Sequence, residues 1–407
     1  MDTDARTAVS AAFALALSTL ALSLPAACGG KSLPDVLPDG RDAGTDSTTT
    51  DAGTDTGAPT DAQATDGCVP APVVAVSLDT TTASEVAVAL PAEAGALGLG
   101  DPSLQQQVSG ATTMSFTVVG GPGDSTTELA FSNDGMAWTR DPIPAFLPPS
   151  PCDGGACPHM VAGSSAYLVD SFAPVPYEIE KLFVGVVLYD PGLTPPLREE
   201  HGYVAYAPSF NTANLHPMPK LRWNDDVVGG QDLRLIPALA ACIGFSEPSA
   251  MSRDLQTLDL SLTCLTTTGR RVVLLRSADH GKTYAYVSTL FTEQDGLDLG
   301  GAVPEVTAAE LFTASNVDYV VVSTRGPVKG SVAPQLNACI TVRMSSHDQI
   351  ARDCLARPLV VRRIVESQGR MLGSCSFAAS VGYYVSVGYL GESARPYRIY
   401  RSGVTTP

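Results

Sequence analysis

Positive charge is scarce in this chain. Its 407 residues hold 25 Lys and Arg against 42 Asp and Glu, a formal net charge of −17. That balance excludes nucleic-acid partners, whose phosphates are held by clustered Lys and Arg. Helical periodicity is also scarce, and Thr307–Thr313 is the one stretch that reads as a helix. There is no Gly-x-Ser-x-Gly elbow, no His-Glu-x-x-His and no P-loop. Gly95, Gly98 and Gly100 do not open a βαβ unit, so a dinucleotide cradle is excluded. The five His (His159, His201, His216, His280, His347) are scattered, and no cofactor or metal is expected.

What is present begins with an apolar run, Ala8 to Leu24, too short to span a bilayer with ease and ending in small residues. Pro25-Ala26-Ala27-Cys28-Gly29 follows. This resembles the lipobox of bacterial lipoproteins, with Pro25 in the slot that Leu24 would fill one place later. The resemblance implies cleavage after Ala27 and a lipid on Cys28. Residues 1–27 then form the signal peptide, and the protein is exported to the bacterial outer membrane or cell surface. An ordinary secretory signal and a retained anchor helix are the alternatives.

Residues 28–67 read as a tether. From Gly40 to Gly67 the chain is mostly Asp, Thr, Gly, Ala and Ser, and Asp42-Ala43-Gly44-Thr45-Asp46 recurs as Asp51-Ala52-Gly53-Thr54-Asp55. Such a composition cannot bury enough apolar surface to order itself. The Asp spacing lacks the EF-hand pattern, so calcium is not implied. About 40 flexible residues give a reach of roughly 35 Å, enough to hold a domain clear of a lipid surface.

From Cys68 to Pro407 the chain is a series of short β runs between Gly, Pro, Asn and Asp, such as Thr113–Val119, Lys181–Tyr189, Leu258–Cys264 and Val317–Ser323. That texture means a sandwich, a barrel or a propeller. Two turns separate these. Ser277-Ala278-Asp279-His280-Gly281-Lys282-Thr283-Tyr284 joins two β runs, and Ser132-Asn133-Asp134-Gly135-Met136-Ala137-Trp138 repeats its Ser, Asp, Gly and aromatic. Ser and Asp side chains can bond nearby backbone N–H groups, and Gly can take φ > 0. The pattern resembles the Asp-box, or BNR repeat, of sialidase-like β-propellers. The resemblance implies an all-β propeller and gives these boxes a structural role at the blade periphery. The sequence divides into five four-stranded blades near 95–147, 160–226, 231–295, 302–365 and 368–403, with six as the alternative count. The last blade runs out at its third strand, so an N-terminal strand should close it, and Val73–Leu78 is available.

Nine Cys suit an exported protein, and removing Cys28 leaves eight, an even number. The expected bridges are Cys152–Cys157, Cys242–Cys264 and Cys339–Cys354, which leaves Cys68 with Cys375. Cys152, Cys157 and His159 could be read as zinc ligands, but export favours the disulfide.

The candidate chemistry is carboxylic. The sialidase arginine motif is missing. Five-bladed arabinanase- and xylosidase-like hydrolases are the other relatives to weigh, and they carry an Asp-Pro near the first blade. Asp101-Pro102 sits in a matching place, and Glu247 and Glu305 fall at analogous positions in later blades. Glycoside cleavage needs two carboxyls that flank the sugar. The leading expectation is a catalytically silent propeller that binds a glycan or an envelope protein. The alternatives are a glycoside hydrolase and a purely structural envelope protein.

Overall fold

The computed structural model describes residues 72–407 except 89–97, 108–109, 122–123, 142–156, 170–179, 194–196, 208–219, 222–230, 255, 282, 329–333 and 389–396. The signal, Cys28, the tether, Cys68 and Cys152 lie outside the described residues.

The architecture is a five-bladed β-propeller. Three short strands come first: β1 (Val74–Leu78), β2 (Ser84–Glu85) and β3 (Ala87–Val88). Blade 1 is the antiparallel run β4 (Gly98–Gln106), β5 (Thr112–Gly121), β6 (Asp124–Ser132) and β7 (Ala137–Arg140). Blade 2 is β8 (His159–Val169), β9 (Glu180–Tyr189), β10 (Leu197–Ala207) and β11 (Lys220–Leu221). Blade 3 is β12 (Gly244–Ser252), β13 (Leu258–Leu265), β14 (Arg270–Ser277) and β15 (Ala285–Phe291). A short helix, α1 (Glu293–Asp298), leads out of it. Blade 4 is β16 (Val306–Ala314), β17 (Val317–Gly326), β18 (Gln335–Ser346) with the appended β19 (Gln349–Ile350), and β20 (Val360–Glu366). Blade 5 is β21 (Met371–Ala378), β22 (Gly382–Gly388) and β23 (Arg398–Arg401), completed by β2.

An N-terminal strand does close the ring, but it is not Val73–Leu78. Ser84–Glu85 pairs antiparallel with Tyr400 and Arg401. Val74–Leu78 instead runs parallel to β20 and widens blade 4. Both segments are short and extended, so their order in the sequence does not say which edge each will meet.

The residues read as a helix, Thr307–Thr313, lie in β16. A bulge between Thr307 and Glu310 inserts Ala308 and Ala309. The two residues oppose the single Val322, and this one extra residue shifts the phase of the in–out alternation, so the pattern mimics helical spacing.

Each sheet is covered on both faces by its neighbours, so its inner strands read as nearly continuous apolar runs. The core is accordingly divided among the blade joints. Phe183 and Val204 of blade 2 pack with Phe245, Leu260 and Leu262 of blade 3. Val272 and Leu274 of blade 3 meet Val306, Val320 and Ile340 of blade 4. Phe312 and Ile364 meet Phe377 and Tyr383 of blade 5, and Tyr384 and Ile399 meet Met114 and Trp138 of blade 1. Leu129 of blade 1 packs on Leu182 and Val184 of blade 2. Each fully buried Leu or Val contributes about 2 kcal/mol.

Two bridges are formed between described cysteines. Cys242–Cys264 joins the start of blade 3 to its second strand, with Cα atoms 5.4 Å apart. Cys339 bonds Cys375, not Cys354, with Cα atoms 6.0 Å apart. This replaces both the expected Cys339–Cys354 pair and the Cys68–Cys375 pair. Cys339 lies on β18 facing the next blade, so its neighbour is on β21 rather than in its own sheet. Cys157 and Cys354 are also disulfide-bonded.

Candidate functional site at the propeller axis

The first strand of each blade lines the axis, and all five carry a bulge at the same level. The inserted pairs are Asp101-Pro102, Gly163-Ser164, Glu247-Pro248, Ala308-Ala309 and Gly373-Ser374. The echo between Asp101-Pro102-Ser103 and Glu247-Pro248-Ser249 is therefore a structural repeat. Asp101, Glu247 and Ala308 have φ of 51°, 52° and 52°. A residue before Pro favours extended backbone, and the sequence alone would place Asp101 and Glu247 at plain strand entries. The bulge overrides that preference. Non-glycine residues at positive φ cost about 1–3 kcal/mol each and cluster at functional sites.

The bulges enclose a small axial cavity lined by Asp101, Glu247 and Glu310, together with Ser103, Ser164, Ser165 and Ser374. The space open to the centre of a water molecule is about 20 Å³, room for a single water. Among the described residues the lining contains no aromatic side chain. The hydroxyl of Ser165 is buried and lacks a hydrogen-bond partner among the described residues.

Two of the three acids expected from the sequence thus meet here. Glu305 does not. It precedes β16 and lies between two guanidiniums, 3.5 Å from Arg270 Nε and 2.9 Å from Arg325 Nε. The position in blade 4 that matches Asp101 is Ala308, and no Pro follows it to signal the bulge.

Glu310 is the acid that sequence reasoning missed. It follows the bulge of blade 4 and is buried. Its Oε1 accepts hydrogen bonds from Ser376 Oγ and, at 3.3 Å, from the Leu104 backbone N–H. Burial pushes its carboxyl up to about 8, against the opposing pull of those two donors. A lone Glu within an Ala-Ala-Glu-Leu-Phe run carries no signal of this; only its place two residues after Thr307-Ala308 could have suggested it. Asp101 accepts from Ser374 Oγ at 3.0 Å. Burial raises its carboxyl as well, offset in part by Ser374 and Thr117. Nearby, Tyr397 is pushed up to about 12 by burial and by the Asp101 charge.

The two boxed turns lie at the periphery, between the third and fourth strands of blades 1 and 3. In each, the Ser and Asp hold the backbone in the same way. Gly135 N–H donates to Ser132 Oγ at 2.9 Å, and Met136 and Ala137 N–H donate to Asp134 Oδ1 at 2.8 and 3.0 Å. Those backbone donors hold the Asp134 carboxyl below its usual range. In blade 3, Gly281 N–H donates to Ser277 Oγ at 2.7 Å and Thr283 N–H to Asp279 Oδ1 at 2.9 Å. The aromatic ending each turn also reaches a neighbouring blade. Trp138 packs edge-on against Tyr384 of blade 5, and Tyr284 against Phe183 of blade 2. Each reaches the second strand of the preceding blade.

No family model matches this chain, and no curated protein matches it. Among solved structures it is similar to a GH32 beta-fructofuranosidase of Bombyx mori, at a TM-score of 0.43 and 14% identity over 74% of this chain and 59% of that one. It is also similar to an exo-1,5-alpha-L-arabinanase from a bovine ruminal metagenomic library, at TM-score 0.43 and 12% identity over 74% and 91% of the two chains. A third is the native arabinanase of Bacillus subtilis, at TM-score 0.40 and 11% identity over 75% and 95%. The chain spans less than two thirds of the fructofuranosidase's length. Likenesses this distant assign no activity to this chain.

Proposed function

We propose that this chain is an exported, lipid-anchored display protein whose propeller binds a partner, a glycan or an envelope protein, without chemistry at the axis. The observation that carries this is the size of the space where the acids meet, about 20 Å³. A glycosidase must seat a sugar between its two carboxyls, with water or the nucleophile on the opposite face. Small-ligand pockets run to about 300 Å³ or more. The absence of aromatics from the lining also removes the stacking surface that a sugar ring would use. Anchoring rests on the apolar run ending at Cys28 and on the acidic tether behind it. The two boxed turns, whose resemblance is to the sialidase-like repeat, then serve to lock neighbouring blades.

A second reading is favoured by one observation. Asp101 and Glu247 share the same backbone strain and the same cavity, and burial raises Asp101. A glycoside hydrolase needs two converging carboxyls, one of them held protonated.

The test uses the full-length protein. It should show selective binding on a glycan array or against isolated envelope proteins. It should release no sugar from a panel of polysaccharides. Sugar release by the wild type, lost in an Asp101→Asn, Glu247→Gln double variant, would establish the hydrolase instead. In parallel, a fatty-acid probe should label the protein, and Cys28→Ala should abolish the label.

A further inference from the structure

Glu310 is built into the ring differently from every other acid of the axis. It stands on β16 in blade 4, but its Oε1 takes the hydroxyl of Ser376 on β21 in blade 5 and the N–H of Leu104 on β4 in blade 1. Ser376 Oγ in turn accepts from the same Leu104 N–H at 2.8 Å. Blades 4 and 1 are not neighbours in the ring. The carboxyl therefore reaches past blade 5 to tie three blades at one point.

We propose that Glu310 is a proton-operated latch: its neutral carboxyl clasps blades 4, 5 and 1 at the axis, and loss of the proton loosens that junction.

The surroundings give the latch its sign. From β4 the group faces Asp101, and from β12 it faces Glu247; both are acids. β8 and β21 present serines and the Cys375 disulfide. Among the described residues no Lys, Arg or His lines the cavity. The charges on the other elements packed against β16 are engaged elsewhere. Asp259 of β13 pairs with Arg253 and with Arg276 of β14. Asp318 of β17 pairs with Arg253 and His347. Arg270 of β14 meets Glu305, and Arg271 of the same strand donates to Ala238 O. On α1, Asp295 pairs with Arg352, Glu293 accepts from Thr266, and Asp298 accepts from Gln294. An ionised Glu310 would thus be a buried anion beside two other acids, with a hydroxyl and an amide as its only donors among the described residues. Burial without a cation favours the neutral form. The folded protein holds this proton up to a pH of about 8.

The direction of the linkage follows. The folded state binds a proton that the unfolded chain releases at ordinary carboxyl pH, so stability falls as pH rises toward the folded value and then levels. Local loosening should appear at the same point, because the ionised carboxyl regains water only when the junction with Ser376 and Leu104 opens and exposes the Leu104 amide.

The experiment is amide hydrogen exchange on the full-length protein, corrected for intrinsic exchange. Between about pH 6 and about pH 9, protection of the Leu104 amide should fall by about tenfold or more in the wild type. Amides deep in other blades, such as Leu262 and Val322, should change far less. In Glu310→Gln, which keeps the acceptor oxygen but cannot ionise, Leu104 protection should be independent of pH. An Asp101→Asn variant should keep the Leu104 response. A pH-independent Leu104 in the wild type, an equal loss at all amides, or the same response in Glu310→Gln would each overturn the proposal. Should Glu310→Gln fail to fold, the wild-type comparison of Leu104 with Leu262 and Val322 decides alone.

Discussion

Between blades 3 and 4 the outer contacts are ionic, whereas between blades 5 and 1 they are aromatic. At the first joint Arg253 of blade 3 bridges Asp259 of its own blade and Asp318 of blade 4, both at 2.5 Å. Arg276 binds Asp259 at 2.7 Å and Asp348 of blade 4 at 2.7 Å. Asp295 on α1 holds Arg352 at 2.7 Å, inside a capping box formed with Thr292. At the second joint Trp138 meets Tyr384 with ring centroids 5.7 Å apart, and the Tyr384 hydroxyl donates to the Gly135 carbonyl. Gly135 is needed there: at φ 70° a Cβ would lie 2.5 Å from Val381 and 2.7 Å from the Tyr384 hydroxyl.

The difference follows chain connectivity. Blades 3 and 4 are consecutive, and the 292–305 segment already holds them close. Buried ion pairs return little net stability after desolvation, but they penalise wrong registers. Blades 5 and 1 come from opposite ends of the domain, so bringing them together costs loop-closure entropy. Apolar and aromatic burial can offset that cost. The ring is closed by burial and indexed by charge.

The largest expected effect breaks the closing joint. Tyr384→Ala removes a buried ring and should cost about 4 kcal/mol, in the range for large core truncations. Urea unfolding followed by fluorescence would measure it, and a cost below about 1 kcal/mol would erase the distinction between the joints. Next comes Asp259→Asn, which leaves Arg253 and Arg276 without their shared carboxylate. Removing one partner of a buried pair costs about 3 kcal/mol. That loss should change little with added salt, because the Asp259 carboxylate is fully buried and salt screens exposed charges. The smallest effect is Asp348→Asn. Asp348 is 47% exposed, and exposed pairs contribute under about 1 kcal/mol. A larger loss would mean that the ionic joint acts as one network and not as separate pairs, which a double-mutant cycle with Arg276→Gln would quantify.

Much of the fold could be read before any coordinates. Ser277-Ala278-Asp279 and Ser132-Asn133-Asp134 fix their turns through hydrogen bonds within a few residues, so local sequence suffices to find them. Cys242 and Cys264 were legible because both sit within one blade. Glu310, the Cys339–Cys375 bridge and the role of Ser84–Glu85 were not, since each depends on a neighbour in another blade. The bulge in β16 hid both the strand and its acid.

By itself the sequence determined the all-β class and the peripheral turns, along with the composition of the acidic segment from Gly40 to Gly67, and it left the blade count at five or six. These rest on periodicity, turn chemistry and composition, which act over a few residues. Only the tertiary structure decided which acids share the axis, which cysteines bond across blades and which N-terminal strand closes the ring. Those outcomes depend on the radial placement of strands far apart in the chain. The five blades fix that placement only when they pack against one another.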